Sequence, residues 1–253
     1  MANAWHTHTV GGYAVRLSLP PGSAVAGRVL MLQPFDPESD YFAQAFTQHL
    51  HAHRLACCVP EPVDPFWLDR PVAAFAHAEG HTPLQYLRQV VVPWLIEAVP
   101  LATASATASE TVGLLGVSLG GQAVLRLAFR YAEQFPVVAA LAAVTDFHEL
   151  HGQGTLLDAV YPDREACRRD TPSLAIRAGQ TPHSLFLAAD PEDASWYDGN
   201  ALLHEKLLAM GVAHEAQLSQ TASGDTRAYL QQLAPTAIAF LADALRRQAL
   251  RLL

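Results

Sequence analysis

The chain has 253 residues, 51% of them hydrophobic and 16% charged, which excludes intrinsic disorder and suits one globular domain with a sizeable core. A formal net charge of −8 excludes a surface built for polyanions. The densest basic patch, Arg164, Arg168 and Arg169, is interleaved with Asp163, Glu165 and Asp170, so neither nucleic acid nor an anionic membrane is an expected partner, and a small neutral or modestly charged ligand is.

From the N-terminus, residues 1–10 carry no basic segment followed by an apolar one, and no apolar run reaches the roughly 18 residues of a spanning helix, so a soluble, cytoplasmic protein is expected. Cys57, Cys58 and Cys167 are too few for a disulfide framework, in keeping with a reducing compartment. Apolar runs and alternation predict strands at 13–19 and 28–33, a helix over 41–53 and a strand at 55–59. Residues 64–81, with Phe66, Trp67, Phe75, His77 and His81, read as a loop over the site. Packing beneath a long loop explains those aromatics equally well. Helical spacing follows over 82–99, then a low-complexity connection at 101–110, a strand at 111–117, a helix at 119–131 and a strand at 137–144. After an irregular stretch, 145–182, come a strand at 184–188, a helix at 200–210, a strand at 214–218 and a final helix at 235–250. Strands alternating with helices predict a single α/β domain over residues 1–253. Its sheet is mostly parallel with helices on both faces, and its ligand site lies at the carboxyl ends of the strands.

The sharpest motif is Gly116-Val117-Ser118-Leu119-Gly120-Gly121, which fits G-x-S-x-G between an apolar strand and an amphipathic helix. In such a turn a Cβ at 116 or 120 strikes neighbouring backbone. Ser118 is held in a strained conformation that exposes its Oγ and aims the Leu119 N–H at a developing oxyanion. The plainer alternative is a glycine-rich turn in which Ser118 only caps the helix.

Beyond the elbow, residues 86–100 (YLRQVVVPWLIEAVP), 186–200 (FLAADPEDASWYDGN) and 206–218 (KLLAMGVAHEAQL) resemble, in order, segments of the esterase D and feruloyl-esterase-type serine esterases of the α/β-hydrolase superfamily. The similarity covers residues 28–245. It implies an α/β-hydrolase fold, carboxylesterase action on small acyl esters, no cofactor or metal, and a triad in the chain order Ser, acid, His. Ser118 then takes the nucleophile position. After the penultimate strand, Asp190 and Asp193 both qualify as the acid; the family's G-x-x-D stretch places Asp190 at the glycine and favours Asp193, although either carboxylate can instead cap a loop. The family's G-G-H-x-W-x-Y segment falls on residues 223–229, so Asp225 stands where the histidine belongs.

A carboxylate base, with an ordinary pKa of about 3.9 against about 6.5 for His, weakens proton acceptance by about 3.5 kcal/mol. A site without one triad member still keeps about 10³ to 10⁴ of catalysis over water. Two carboxylates, Asp193 and Asp225, repel in this space, and Arg227 is the expected counter-charge. Where relatives often read His-Gly after the 28–33 strand, this chain reads Gln33-Pro34-Phe35-Asp36. Pro34 has no N–H, so Phe35 or Asp36 must supply the second oxyanion donor, and Phe35 is the expected one beside Leu119. His148 and His151 follow the strand after the elbow and are candidates to line the pocket or replace the base. His204 and His214 are poorly placed to reach Ser118. His49 and His53 have the i, i+4 spacing of a zinc pair but lack the glutamate of H-E-x-x-H, and read as a solvated helix face. Two readings follow: an ester hydrolase with an incomplete triad, or a noncatalytic protein that kept the fold.

Overall fold

The computed structural model describes residues 5–22, 24–34, 39–61, 64–101 and 110–251. The apolar runs form one eight-stranded sheet: β1 (Trp5–Val10), β2 (Tyr13–Ser18), β3 (Gly27–Leu32), β4 (Leu55–Pro60), β5 (Gly113–Val117), β6 (Val137–Leu141), β7 (Ser184–Ala188) and β8 (Glu215–Gln217). Their order is β1-β2-β4-β3-β5-β6-β7-β8, with β1, β2 and β4 paired antiparallel and the rest parallel. Every residue of β3, β4, β5 and β6 is buried, as a parallel sheet covered on both faces requires. β1 was not anticipated from sequence. It is an edge strand that buries only Trp5 and Val10, so it carries no apolar alternation.

The helices are α1 (Ser39–Ala52), α2 (Pro83–Tyr86), α3 (Val92–Ala98), α4 (Leu119–Arg130), α5 (Leu157–Val160), α6 (Arg164–Arg168), α7 (Tyr197–Ala209) and α8 (Thr226–Arg251). The helix expected over 82–99 is interrupted by a wide turn at Leu87–Val91, where the Val92 N–H reaches back to Leu87 O. Pro93 lies just beyond, without an N–H to continue the ladder, and the turn opens to accommodate it. α8 starts at Thr226 rather than 235 and contains Pro235 in its interior. Burial of Tyr229, Leu230, Leu233 and Ala234 against the sheet outweighs the one backbone bond that the proline forfeits. β6 stops at Leu141 because Ala142 turns the chain with φ +46°.

Alternate residues along the strands feed two cores. Met31, Cys57 and Leu115 meet Phe46 and Leu50 of α1 and Ile238 and Leu241 of α8. Leu30, Cys58 and Leu114 meet Leu87, Leu95 and Leu127 on the opposite face. Phe66, Trp67 and Phe75 belong to this second core, so the aromatics of 64–81 serve as packing, and α4 holds their loop through Gln122 Nε2 to Phe66 O and Arg126 Nη1 to Trp67 O. All three cysteines are buried and free. No described helix is long and apolar enough to cross a membrane.

Candidate active site

At the carboxyl end of β5 the chain makes the sharp turn that the motif demands. Ser118 has φ +54° and ψ −118°, a region that costs a side-chain-bearing residue of order 1–3 kcal/mol and survives only where the surroundings over-determine it. They do so here from three sides. A Cβ on Gly116 would overlap Gly120 O, a Cβ on Gly120 would overlap Leu32 O, and a Cβ on Gly121 would lie 2.8 Å from the Ala143 Cβ. The elbow is thus wedged between β3 and the end of β6, with the Ser118 N–H donating to Leu141 O at 3.0 Å and Ser118 O accepting the Val144 N–H at 3.1 Å.

Ser118 occupies the cap position of α4, yet its hydroxyl makes no capping hydrogen bond. The cap explanation therefore does not account for the serine. The Leu119 N–H heads α4, where no intrahelical acceptor exists and the helix dipole favours negative charge. Phe35 and Asp36 lie outside the described residues, as does most of the 101–110 connection.

The turn after β7 assembles next to the loop after β8. Asp190 is 3% exposed; its Oδ1 accepts the Glu192 N–H at 2.9 Å, and its Oδ2 accepts the N–H groups of Ala222 at 2.9 Å and Gly224 at 3.0 Å. Burial pushes this carboxyl up, but the backbone donors outweigh burial and hold it below its ordinary range. Asp193 Oδ1 accepts the N–H groups of Ser195 and Trp196 at 3.0 and 3.3 Å and so leads the chain into α7. Asp225 is exposed and caps α8, its Oδ1 accepting the Arg227 and Ala228 N–H groups at 2.9 and 3.1 Å. The structure therefore brings the Asp190–Asp193 turn against the loop that carries Asp225. β8 lies three strand spacings from β5, about 14 Å. A base on that loop must project back across β6 and β7 to meet Ser118, and Asp225 turns onto its own helix instead.

His148 and His151 sit in and after the turn Phe147–Leu150, beyond the end of β6. His148 Nε2 is 3.3 Å from Glu149 Oε1 while its Nδ1 is buried without a partner, and burial lowers its basicity against the opposing pull of Asp146. His151 Nε2 contacts Tyr161 O at 3.2 Å. His204 Nδ1 and His214 Nε2 are bonded to each other at 2.7 Å, and His214 precedes β8, at the opposite end of the sheet from Ser118. His51 bonds Ser18 Oγ at 2.8 Å and His49 meets Gln48 at 3.1 Å.

Sequence reasoning passed over Asn200, which is fully buried and donates from Nδ2 to Ala143 O, the carbonyl that also accepts the Thr145 N–H. Thr145 Oγ1 and Asn200 Oδ1 are left buried and unpartnered beside Gly199, where a Cβ would overlap Thr145 Oγ1. A glycine and an asparagine at a helix start signal nothing beyond a turn until the strand end that they approach is known. Among the described residues one group of three possible metal ligands exists, His77, Glu79 and His81, in the segment between β4 and α2.

A strained serine at a strand-to-helix elbow, at the carboxyl edge of a mostly parallel sheet, defines an α/β-hydrolase of the serine-hydrolase type. The chain belongs to the Esterase family, whose model matches residues 62–251, and its function is of the esterase type. Among solved structures it is similar to an S-formylglutathione hydrolase from Agrobacterium tumefaciens, with 14% identity, 97% of each chain covered and a TM-score of 0.75. It is also similar to FphF, a fluorophosphonate-binding serine hydrolase of Staphylococcus aureus, with 15% identity, 94% of this chain and 97% of that chain covered and a TM-score of 0.72. A ferulic acid esterase aligns at 11% identity over 94% and 96% of the two chains with a TM-score of 0.70. At these identities the likeness is one of fold. No curated protein sequence matches significantly.

Proposed function

We propose that this protein is a cytoplasmic carboxylic-ester hydrolase for small acyl esters that works with an incomplete triad. Ser118 is the nucleophile, Leu119 and Phe35 are the oxyanion donors, Asp193 is the acid, and Asp225 stands in the place of the histidine. The observation that carries this reading is the Ser118 hydroxyl, held in a strained elbow and unused as a cap. A strained turn that leaves the hydroxyl out of the helix cap is what a nucleophile needs. The Asp193 carboxylate is anchored through Oδ1 by two N–H groups on the turn that meets the loop carrying Asp225. A single small-molecule ester or acyl ligand, without cofactor or metal, suffices for this chemistry.

The engagement of Asp225 as the cap of α8 favours a second reading, a noncatalytic acyl-ligand-binding protein on the same fold. One experiment separates them. A fluorophosphonate probe should label the parent and not Ser118→Ala, and the parent should turn over p-nitrophenyl acetate slowly but above Ser118→Ala. A folded parent that neither labels nor exceeds Ser118→Ala in turnover overturns the hydrolase reading and leaves the binding one.

A further inference from the structure

The segment between β4 and α2 carries three side chains that esterase chemistry does not use. His77, Glu79 and His81 alternate along five residues, and one ligand atom from each lies within 4.8 Å of the others. His77 is held from behind: its ring packs on Phe75 at 6.3 Å and Tyr86 at 5.6 Å, and it lies over the β1–β2 turn, where a Cβ on Gly11 would come within 2.8 Å of its Nε2. Its other nitrogen, Nδ1, accepts the Glu79 N–H at 3.3 Å, which directs that lone pair toward the 79–81 turn. Gly80, with φ +74° and an N–H donated to His77 O at 2.9 Å, closes the turn. His81 then stacks on His77 at 4.9 Å and places Nε2 3.0 Å from Glu79 Oε2. The next residue, Thr82, forms a capping box with Gln85 at the start of α2, so the backbone is fixed on both sides of the cluster.

We propose that His77, Glu79 and His81 bind a divalent transition-metal ion of the zinc type. Two imidazoles and one carboxylate are borderline donors that suit Zn²⁺, whereas Ca²⁺ and Mg²⁺ want oxygen alone. Tetrahedral zinc, with bonds of about 2.0–2.2 Å, needs donors about 3.4 Å apart. The Glu79–His81 pair, at 3.0 Å, needs to open only slightly to reach that separation. The remaining gap closes by rotation of the Glu79 side chain, which is 73% exposed, and by exchange of the long hydrogen bond at His77 Nδ1 for a metal bond. Three protein ligands leave the fourth position to water.

Calorimetric titration of the full chain with Zn²⁺ should show one strong site, and Co²⁺ should develop the visible absorption of a low-symmetry N/O site. His81→Ala should weaken Zn²⁺ binding by about tenfold or more, and Glu79→Gln should weaken it as well. Zn²⁺ should raise the melting temperature of the parent and not that of His81→Ala. His49→Ala, which breaks the i, i+4 pair of His49 and His53 at the end of α1, is the control and should leave the affinity unchanged. Glu79 is a surface side chain, so Glu79→Gln remains an informative variant even if His81→Ala folds poorly. Absence of saturable Zn²⁺ binding by the parent, or equal affinity in parent, Glu79→Gln and His81→Ala, overturns the proposal.

Discussion

Around Ser118 the backbone is held by contacts so close that no side chain fits at Gly116, Gly120 or Gly121, whereas at Asp225 it is held by a side chain that hydrogen-bonds the first turn of a helix. The two constraints differ in what they tolerate. A methyl group forced into backbone has no rotamer to escape to, so Gly116, Gly120 and Gly121 admit nothing else while β3, β5 and β6 keep their spacing. A cap is interchangeable, since Asp, Asn, Ser and Thr all accept helix N–H groups. The elbow therefore survives for reasons of fold even if chemistry is relaxed, and the loop of Asp225 can change its residue without unfolding the chain.

The largest effect should come from Gly120→Ala, which drives a methyl into Leu32 O. Overpacking against backbone costs at least as much as the usual range, about 3 kcal/mol or more, and urea denaturation reads it directly. Parent-like stability in this variant would break the comparison at its first term.

Asp190→Ala should come next. Its carboxylate accepts three backbone N–H groups, two of them from the loop after β8, and their loss should cost about 2–3 kcal/mol. The pH dependence has a definite sign. A carboxyl held below its ordinary range adds stability that is present above the unfolded value of about 3.9 and is lost as pH falls through the lower folded value. Denaturation midpoints of the parent and Asp190→Asn should thus converge below about pH 4. A gap that persists at pH 2 would mean that Asp190 acts through shape rather than charge.

The contrast between the two regions also explains what could be read in the sequence. Gly116, Ser118 and Gly120 announce their turn because only those residue types satisfy its sterics, and the fully buried strands announce themselves as apolar runs. Hydrogen-bonded caps leave no such mark. Asp190, Asp193 and Asp225 are three loop aspartates in sequence, and only the folded chain shows one clamping a neighbouring loop, one turning into α7 and one starting α8. The start of α8 was misplaced at Pro235 because a local breaker signal was visible, while the burial that overrides it was not. β1 was missed because an edge strand with two buried residues shows no period.

A smaller effect, opposite in sign, is expected at the elbow itself. Ser118→Gly keeps the fold and relieves the φ of +54°, so it should raise stability by about 1 kcal/mol after the extra chain entropy of glycine is counted. The same variant should lose fluorophosphonate labelling. Stability gained together with labelling lost would identify the strain as functional; stability lost would mean that the Ser118 hydroxyl supports the fold after all.

The most discriminating change is Asp225→His, because it sets the two uses of one position against each other. As a cap, Asp225 satisfies two N–H groups at the start of α8, and histidine, a weaker acceptor that becomes cationic at acid pH beside a helix N-terminus, should cost about 1 kcal/mol. Asp225→Asn retains the cap and should be nearly as stable as the parent, so the pair isolates the capping contribution. As a base, histidine restores a proton acceptor on the loop that the Ser, acid, His order requires, and kcat/KM on p-nitrophenyl acetate should rise about tenfold. The gain stays below the roughly 10²–10⁴ of a well-placed base, because Pro34 has no N–H for the oxyanion and the imidazole must still reach back across two strands. Adding Ser118→Ala should abolish the gain, which ties it to the elbow. Activity that rises while stability falls by the capping increment would show that position 225 serves either helix or chemistry, not both. A folded Asp225→His that is neither weaker nor faster would contradict both the cap and the assignment of the loop. A parent that already turns over rapidly would move the search for the base to His148 and His151, the imidazoles on the segment that follows β6.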